Sequence, residues 1–272
     1  MVNYYRIRNG VKEEVGSFTH DTKVLLDVGV SAHQKMKEMP QIYGFNKCSE
    51  AGIDVFAPAI FTGGCNFRCP YCMNSNLATG LSEKRVNLEE VKQYVLDDKS
   101  EWFMISGGEP TCVDTKELIN LLEEIKSWGC KVGISTNGSK PEVLSEILPL
   151  LNYVAMDFKS SDGDILKGIG AENGTLDIIN SKCLLMENKL TRYDFDYEIR
   201  TTLYPKYINE DSIRVLGSVM RKDDVWVLQQ FRHAKNMIDT KCYNVKPYTR
   251  EEVESLVKIA KKYTDNVKVR YV

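Results

Sequence analysis

Three of the eight cysteines in this 272-residue chain lie close together, at Cys65, Cys69 and Cys72. Grouped thiolates are ligands of zinc and of iron–sulfur clusters, so this spacing indicates a metal centre before it indicates disulfide bonds. The sequence has neither the paired cysteines of a zinc ribbon nor the four-cysteine run of a ferredoxin. Three thiolates on a four-iron cluster leave one iron without a protein ligand, and an open coordination site is what a catalytic metal centre needs.

The other five cysteines stand singly in the sequence, several of them beside apolar residues. They are Cys48, Cys112, Cys130, Cys183 and Cys242. A single cysteine in such a setting behaves as a small buried hydrophobe. The sequence therefore predicts one metal centre and no second cluster.

The segment around the three cysteines also carries a helix signal. It reads Gly64-Cys65-Asn66-Phe67-Arg68-Cys69-Pro70-Tyr71-Cys72. Proline suits the first turn of a helix, and Cys69 and Cys72 would then face the same way, one turn apart. We expect a helix that begins near Pro70 and points its positive end at an anionic cluster.

Polar residues follow the predicted strands at the ends where parallel sheets bind ligands. The second strand leads into Gly107, Gly108, Glu109 and Pro110. Glycines let backbone carbonyl groups approach a ligand closely, Glu109 adds a carboxylate, and Pro110 holds Glu109 extended. An ordinary turn would have the same composition, so the segment alone leaves both interpretations open.

Later strands end in further candidates for a binding site. They are Ser135, Thr136, Asn137, Asp157, Lys159, Arg200 and Gln230. Lys159 could neutralise a ligand carboxylate, but Asp157 and Lys159 could also be an exposed ion pair. Arg200 could face outward from its strand, and Gln230 could belong to a simple loop.

These residues are carried by a series of six strand–helix units that begins near residue 56. Short apolar strands alternate with helices whose apolar residues recur every three or four positions. Such a series forms a parallel sheet with right-handed crossovers. Since eight units close a barrel, six predict an α/β fold with an open partial (β/α)6 barrel, and VKVRYV adds a terminal strand.

The first 50 residues have a different pattern. Two short strands with a turn at Asn9-Gly10 are predicted first, a third segment at 23–32 also has strand character, and residues 33–52 are polar and predicted to be irregular. We therefore predict an N-terminal extension over residues 1–50 and one domain over residues 51–272.

The overall composition restricts the class of partner. A net charge of −2, with 43% apolar and 27% charged residues, gives no reason to expect binding to nucleic acid or to an acidic membrane surface. No apolar run is long enough to span a bilayer. The N-terminal residues lack the apolar core of a signal peptide, so the sequence predicts a cytoplasmic protein.

The segment CNFRCPYC, with an aromatic residue before its third cysteine, resembles the signature of the radical S-adenosylmethionine (SAM) superfamily. The resemblance extends over residues 56–232. It implies a [4Fe-4S] cluster on Cys65, Cys69 and Cys72, chelation of the open iron by SAM, and reductive cleavage of SAM to a 5′-deoxyadenosyl radical. It also implies that Tyr71 lies near the adenine and that Gln230 lies near the adenine or the substrate channel. Gly107–Pro110 would meet the SAM ammonium, and the remaining strand-end residues would contact its ribose and carboxylate.

Longer segments are most similar to the activating proteins of anaerobic ribonucleoside-triphosphate reductase, which are activases of glycyl-radical enzymes. These segments are FTGGCNFRCPYCMN, SGGEPT, STNG, AMDFK and VWVLQQF. The resemblance implies hydrogen abstraction from a glycine Cα of a large partner enzyme, with flavodoxin or ferredoxin as electron donor. The sequence departs from this group at Met73, where many activases have histidine, and at Ser135, where some have aspartate.

Two other functions are compatible with the same residues. One is a radical SAM enzyme that modifies a small molecule, a nucleotide or a ribosomal peptide. The other is an iron–sulfur electron carrier or redox sensor, for which the polar strand ends would have no use.

Overall fold

The structure of the chain is a computed structural model that describes most of its residues. The described residues are 2–8, 11–18, 38–50, 56–171 and 173–271. Two compact units are distinguished, residues 1–37 and residues 38–272. The sequence predicts a boundary at residue 50; the larger unit begins earlier because residues 42–50 form a strand of its main sheet.

The smaller unit contains two antiparallel strands, β1 (Val2–Arg8) and β2 (Val11–Phe18). They agree with the two strands that the sequence predicts at the start of the chain. The predicted turn at Asn9-Gly10 and the third predicted strand at 23–32 lie outside the described residues.

The larger unit is built on one eight-stranded sheet with the strand order β10-β9-β8-β7-β6-β5-β4-β3. The strands are β3 (Ile42–Glu50), β4 (Phe56–Thr62), β5 (Trp102–Gly107), β6 (Lys131–Thr136), β7 (Tyr153–Asp157), β8 (Asp196–Leu203), β9 (Val225–Gln230) and β10 (Asn266–Arg270). Strands β4 to β10 are parallel, and β3 is an antiparallel edge strand. Within the described residues β3 and β10 do not pair, so the sheet stays open, which confirms the predicted partial barrel.

Eight α-helices are found in the described part of the chain, and most follow a parallel strand. They are α1 (Ser75–Ala78), α2 (Leu88–Asp98), α3 (Thr115–Ser127), α4 (Pro141–Ile147), α5 (Gly163–Gly168), α6 (Leu176–Thr191), α7 (Glu210–Ser218) and α8 (Arg250–Ala260). In α3 the side chain of Asp114 accepts hydrogen bonds from the first-turn amides. Over the described residues, no helix combines the length and the apolar composition that crossing a membrane requires.

The strands bury apolar side chains on both faces because successive residues point in opposite directions. Ile60 belongs to the large core between the sheet and its helices, whereas Ala59 belongs to a smaller cluster on the inner face. Met104 and Tyr153 share this inner cluster. Continuing the alternation along β5 brings Ser106 to the inner face, so the barrel interior leads directly to the polar strand ends.

Strand β3 falls in the segment that the sequence predicts to be irregular, so that prediction is wrong for these residues. Ile42 is buried in the core, but Asn46, Lys47 and Cys48 are exposed. An edge strand with one solvated stretch carries few apolar residues, and the period-two signal is lost.

Candidate iron–sulfur and cofactor site

A cavity of about 250 Å³ opens at the carboxyl ends of the parallel strands. Its lining contains every predicted site residue except Pro110, which begins a short 3-10 turn beside it. The lining also includes residues that the sequence did not single out: Phe67, Asn74, Ser106 and Thr202. Ser106 and Thr202 could have been found by counting every second position along β5 and β8.

The three clustered cysteines all border this cavity. Burial, with the nearby carboxylate of Glu109, raises the pKa of Cys65 to about 12, and burial raises the pKa of Cys69 to about 11. Free thiolates are therefore disfavoured here, and a metal centre on these cysteines would have to displace the thiol protons.

The donor set fits a [4Fe-4S] cluster better than a single metal ion. Among the described residues, no three histidine, cysteine or acidic side chains are arranged around one ion position. A four-iron cluster does not require such convergence because each thiolate binds a different iron. Cys65, Cys69 and Cys72 would hold such a cluster and leave one iron for another ligand.

The residues after Pro70 form a turn, so the predicted helix at this position is wrong. The Cys72 amide donates to the Cys69 carbonyl at 3.0 Å, and α1 begins only at Ser75. A helix from Pro70 would use the Pro70 carbonyl for its own i+4 bond. That carbonyl instead accepts a hydrogen bond from the Asp239 amide at 3.0 Å.

Hydrogen bonds around Arg68 hold the cysteine loop in shape. Its Nη1 donates to the carbonyl oxygens of Cys65 at 2.6 Å and Phe67 at 2.9 Å. Its backbone amide donates to the Ile169 carbonyl at 2.6 Å. The loop is thereby fixed both internally and to the segment after α5.

Asn66 connects the cysteine loop to the end of β6. Its Oδ1 accepts a hydrogen bond from Asn137 Nδ2 at 2.9 Å, and its Nδ2 donates to Ser139 Oγ at 2.8 Å. Asn137 Nδ2 also lies 4.0 Å from the sulfur of Cys65. Asn66 is a functional candidate that the sequence missed, although its position between two ligands was a signal.

Gly107 and Gly108 are required by the backbone that lies against them. Gly107 has φ of +130°, and a Cβ there would lie 2.3 Å from the Thr62 carbonyl oxygen. A Cβ on Gly108 would lie 1.9 Å from the Gly64 carbonyl oxygen. The sequence attributes these glycines to a close ligand; the structure shows that they first let β5 pack against the entry to the cysteine loop.

The side chain of Glu109 is buried and joins the ends of β5 and β6. Its carboxylate accepts hydrogen bonds from the Thr111 amide at 3.1 Å and hydroxyl at 2.7 Å, from Thr136 Oγ1 at 2.7 Å and from the Asn137 amide at 2.6 Å. Burial raises the pKa of Glu109, and these donors oppose that shift. Contact between this carboxylate and SAM stays a prediction, and the observed role is to tie two strand ends together.

Two cationic side chains face the cavity from β7 and β8. Lys159 Nζ forms a 2.9 Å ion pair with Asp157 Oδ2. Arg200 lies beside Asp157 in the strand register and within β8, three residues before its end, rather than at the end as predicted. Both cations border the cavity, so neither is an outward-facing surface residue.

The guanidinium of Arg200 is held in place by the buried carboxylate of Glu198. Its Nε donates a hydrogen bond to the Glu198 carboxylate. The same carboxylate accepts hydrogen bonds from Nη1 and Nη2 of Arg270 at 2.7 and 2.9 Å. Nη1 of Arg200 lies 3.5 Å from Ser135 Oγ, and its buried Nη2 has no hydrogen-bond partner. A buried N–H group without a partner is costly, so the cavity offers a place for an anionic ligand group.

Aromatic side chains form one wall of the cavity. The Tyr71 ring lies 4.7 Å from that of Tyr204 and 6.3 Å from that of Phe231. The buried Tyr71 hydroxyl has no hydrogen-bond partner. Gln230 borders the cavity, but its side-chain nitrogen donates to the Tyr248 carbonyl at 2.8 Å. Tyr71 stays a predicted neighbour of the adenine, and Gln230 of the adenine or the substrate channel.

An open parallel sheet with three thiols at its carboxyl ends defines a class of iron–sulfur enzymes. Residues 59–183 match the sequence profile described as "Radical SAM superfamily". A Methanocaldococcus jannaschii protein named "Putative glycyl-radical enzyme activating enzyme MJ1227" is 33% identical over 214 residues, which cover 78% of this chain and 87% of that protein. The chain belongs to the radical SAM superfamily, whose enzymes use a [4Fe-4S] cluster and SAM.

Other relatives are less similar or share a shorter region. A second M. jannaschii protein, "Putative glycyl-radical enzyme activating enzyme MJ1632", is 26% identical over 76% of this chain and 78% of its own length. The 7-carboxy-7-deazaguanine synthase of Haemophilus influenzae is 32% identical over 43% of this chain and 51% of its own length. The solved structure of TYW1 with a lysine-pyruvate adduct bound has a TM-score of 0.50 and 17% identity, covers 76% of this chain and 73% of its own, and supports the fold.

Proposed function

We propose that this radical SAM enzyme is an activase that installs a glycyl radical on a large partner enzyme, anaerobic ribonucleotide reductase. The observation that carries this proposal is the similarity to the M. jannaschii protein MJ1227, because it extends over most of both chains. The segments around the cysteines and the strand ends, which resemble reductase activases, support the choice of partner.

The residues of the cavity would bind and orient the cofactor. When bound, the cluster and SAM would supply the radical chemistry for hydrogen abstraction from the glycine Cα, with 5′-deoxyadenosine as the by-product. Lys159 and the unpartnered Nη2 of Arg200 provide positive charge for the carboxylate of SAM. Asp157 and the strand-end residues 135–137 line the cavity where its ribose and carboxylate would bind. Backbone carbonyls at Gly107 and Gly108 provide the ammonium site.

An activase must admit a loop of another protein to its cavity, and the described residues provide an open approach. The sheet does not close, and the cavity lies at its carboxyl ends. Met73, which follows the last cysteine, lines this cavity and is 50% exposed.

The proposal is tested by mixing the reconstituted enzyme with anaerobic ribonucleotide reductase, SAM and dithionite without oxygen. We expect the electron paramagnetic resonance doublet of a glycyl radical and one 5′-deoxyadenosine per radical formed. The Cys69→Ala variant is the matched control and should produce neither signal. A competent reductase that stays free of the doublet, although SAM is cleaved, would rule out this partner.

A second candidate is modification of a small molecule, favoured by the similarity to 7-carboxy-7-deazaguanine synthases. That similarity covers 43% of this chain and 51% of the Haemophilus influenzae enzyme. Formation of 7-carboxy-7-deazaguanine by the enzyme in a cell extract, detected by mass spectrometry, together with an absent glycyl-radical doublet, would favour this function.

The cellular setting follows from the same chemistry. A reducing cytoplasm keeps the three thiols available for iron, and we place the enzyme there. Residues 42–50 of the predicted 1–50 extension belong to the main sheet, so its separate compact part is residues 1–37. In the small-molecule alternative the extension would help to bind the substrate, and deleting residues 1–37 should then weaken turnover of the substrate while SAM cleavage continues.

A further inference from the structure

A second concavity, of about 340 Å³, is bordered by residues of the cysteine loop. Its lining includes Arg68, Pro70, Tyr204, Lys206, Tyr207 and Asp239, and it shares no residue with the cofactor cavity. Arg68 and Pro70 flank Cys69 in the chain. We call this concavity the loop face; it borders the cysteine loop through residues that do not line the cofactor cavity.

Only one layer of aromatic side chains separates the loop face from the cofactor cavity. The Tyr71 ring, which borders that cavity, lies 4.7 Å from the Tyr204 ring and 5.9 Å from the Tyr207 ring. Tyr204 and Tyr207 line the loop face. A protein seated on this face would therefore be close to Cys69, whereas the other side of the loop is occupied when SAM and substrate are bound.

The charges on the loop face favour an acidic partner. Arg68 and Lys206 are exposed at its edge. Asp239 is the acidic side chain in its lining, and its carboxylate accepts a hydrogen bond from the Lys241 amide at 2.8 Å. Two exposed cations next to a proposed redox centre would attract a negatively charged protein and orient it on approach.

We infer that the loop face is the docking surface for an acidic one-electron carrier protein that reduces the cluster. The inference rests on the reductive cleavage of SAM that the proposed function requires. One electron leaves the reduced centre of the carrier and enters the cluster, so that the carrier is oxidised by one electron and no atom is exchanged. Electron tunnelling weakens steeply with distance, which makes the short path through the loop face effective.

Reversing the charge of Lys206 tests this surface. Lys206 is exposed on the turn after β8 and, unlike Arg68, is not used to shape the cysteine loop. With reduced ferredoxin and reduced flavodoxin as probes, we expect Lys206→Glu to lower the second-order rate of cluster reduction about tenfold at low salt, and Lys206→Gln to have a smaller effect. Salt at about 0.2 M should reduce these differences.

Dithionite provides the control because it reduces the cluster without a protein surface. Dithionite-driven 5′-deoxyadenosine formation should stay within twofold of wild type in both variants. Lys258→Glu, a charge reversal of an exposed lysine on α8, should leave the rates with both carriers unchanged. Equal carrier rates in Lys206→Glu and wild type would overturn the inference, and so would a parallel loss of the dithionite reaction in Lys206→Gln.

The outcome is independent of the identity of the final substrate. If dithionite gives SAM cleavage but no glycyl radical on the reductase, the proposed partner fails while the reduction rates still test the loop face. If the radical forms and the carrier rates do not respond to Lys206, the proposed function stands and the docking surface is wrong.

Discussion

The two ends of the parallel sheet each carry a polar cavity, yet they differ in how their polar groups are used. The cavity at the carboxyl ends has a volume of about 250 Å³, and the one at the amino ends has a volume of about 360 Å³. The latter is lined by Tyr153, Glu198, Asp224 and Lys268 among others. A search for the binding site by cavity volume and polarity alone would choose the amino ends, although the predicted site residues lie at the carboxyl ends.

The charged groups at the amino end mostly pair with each other. Asp224 is buried and accepts from Lys182 at 2.7 Å, from the Tyr197 hydroxyl at 2.5 Å and from the Arg221 amide at 2.8 Å. Among the buried polar groups that line this end, the Tyr153 hydroxyl is without a hydrogen-bond partner. Such a network holds strands and helices together and leaves little for a ligand to bind.

The carboxyl end keeps groups that the protein itself does not satisfy. Three thiols share one cavity, and Nη2 of Arg200 and the hydroxyl of Tyr71 are buried without partners. Polar groups that are buried and unpaired are the better indicator of a binding site, since their cost is recovered when a ligand arrives. Four variants test this difference between the two ends.

The largest effect is expected from the cysteines at the carboxyl end. Cys69→Ala should lose iron and all SAM cleavage, because a cluster with two thiolates is not retained. Cys130→Ala is the matched control at the amino end of β6, where the thiol lies near the Ser100 carbonyl at 3.1 Å. Iron and 5′-deoxyadenosine assays check both. A normal iron content in Cys69→Ala would show that Cys69 is not a ligand of the cluster.

Breaking the network at the amino end should affect stability rather than chemistry. Lys182→Met leaves the buried Asp224 without its cation and should lower the free energy of unfolding by about 3–5 kcal/mol. Denaturant unfolding measures the loss, and SAM affinity of the folded enzyme should be unchanged. A weakened affinity for SAM with unaltered stability would show that this end takes part in binding.

For Arg200 we expect a smaller effect and the opposite result to that of Lys182, namely weaker SAM binding with little loss of stability. Arg200→Gln removes the unpartnered donor while Arg270 still neutralises Glu198, so SAM affinity should fall about 10- to 100-fold with little change in stability. Equilibrium dialysis with the iron-loaded enzyme measures this. Arg250→Gln, at an exposed arginine, serves as control. Unchanged affinity would place the SAM carboxylate elsewhere.

The smallest effect is expected from Tyr71→Phe. Removing a buried hydroxyl that has no partner should leave stability equal or raise it by about 1 kcal/mol, since the desolvation cost disappears. If SAM supplies the missing partner, its affinity should fall, by less than tenfold. Thermal unfolding with and without SAM separates the two effects, and a variant that is clearly less stable would contradict the assignment of an unpaired hydroxyl.

The architecture and the cavity lining were largely predictable because they depend on local patterns. Apolar strands and amphipathic helices specify the parallel sheet, and its carboxyl ends then collect the strand-end residues. The network beneath Arg200 was harder to find. Glu198 and Arg200 are two positions apart and share a face, but Arg270 is 70 residues further on, and no local pattern predicts that pairing.

Other errors arose where tertiary contacts overrode a local signal. Pro70 suits a helix start, but its carbonyl is taken by the Asp239 amide, which is far away in the chain. Residues 42–50 look irregular because an edge strand needs few apolar residues when its partner strand supplies the pairing. In both cases the deciding contact joins segments that are distant in sequence.

The hydrogen bonds of Glu109 have a consequence for how the enzyme matures. They join Thr111, Thr136 and Asn137 using protein atoms alone, so this side of the cavity owes its shape to the polypeptide. In a zinc finger, by contrast, the fold forms only when the metal binds. Iron–sulfur assembly would therefore act on a chain that has already folded. After loss of the cluster to oxygen, this side of the cavity would keep its shape and a new cluster could be inserted.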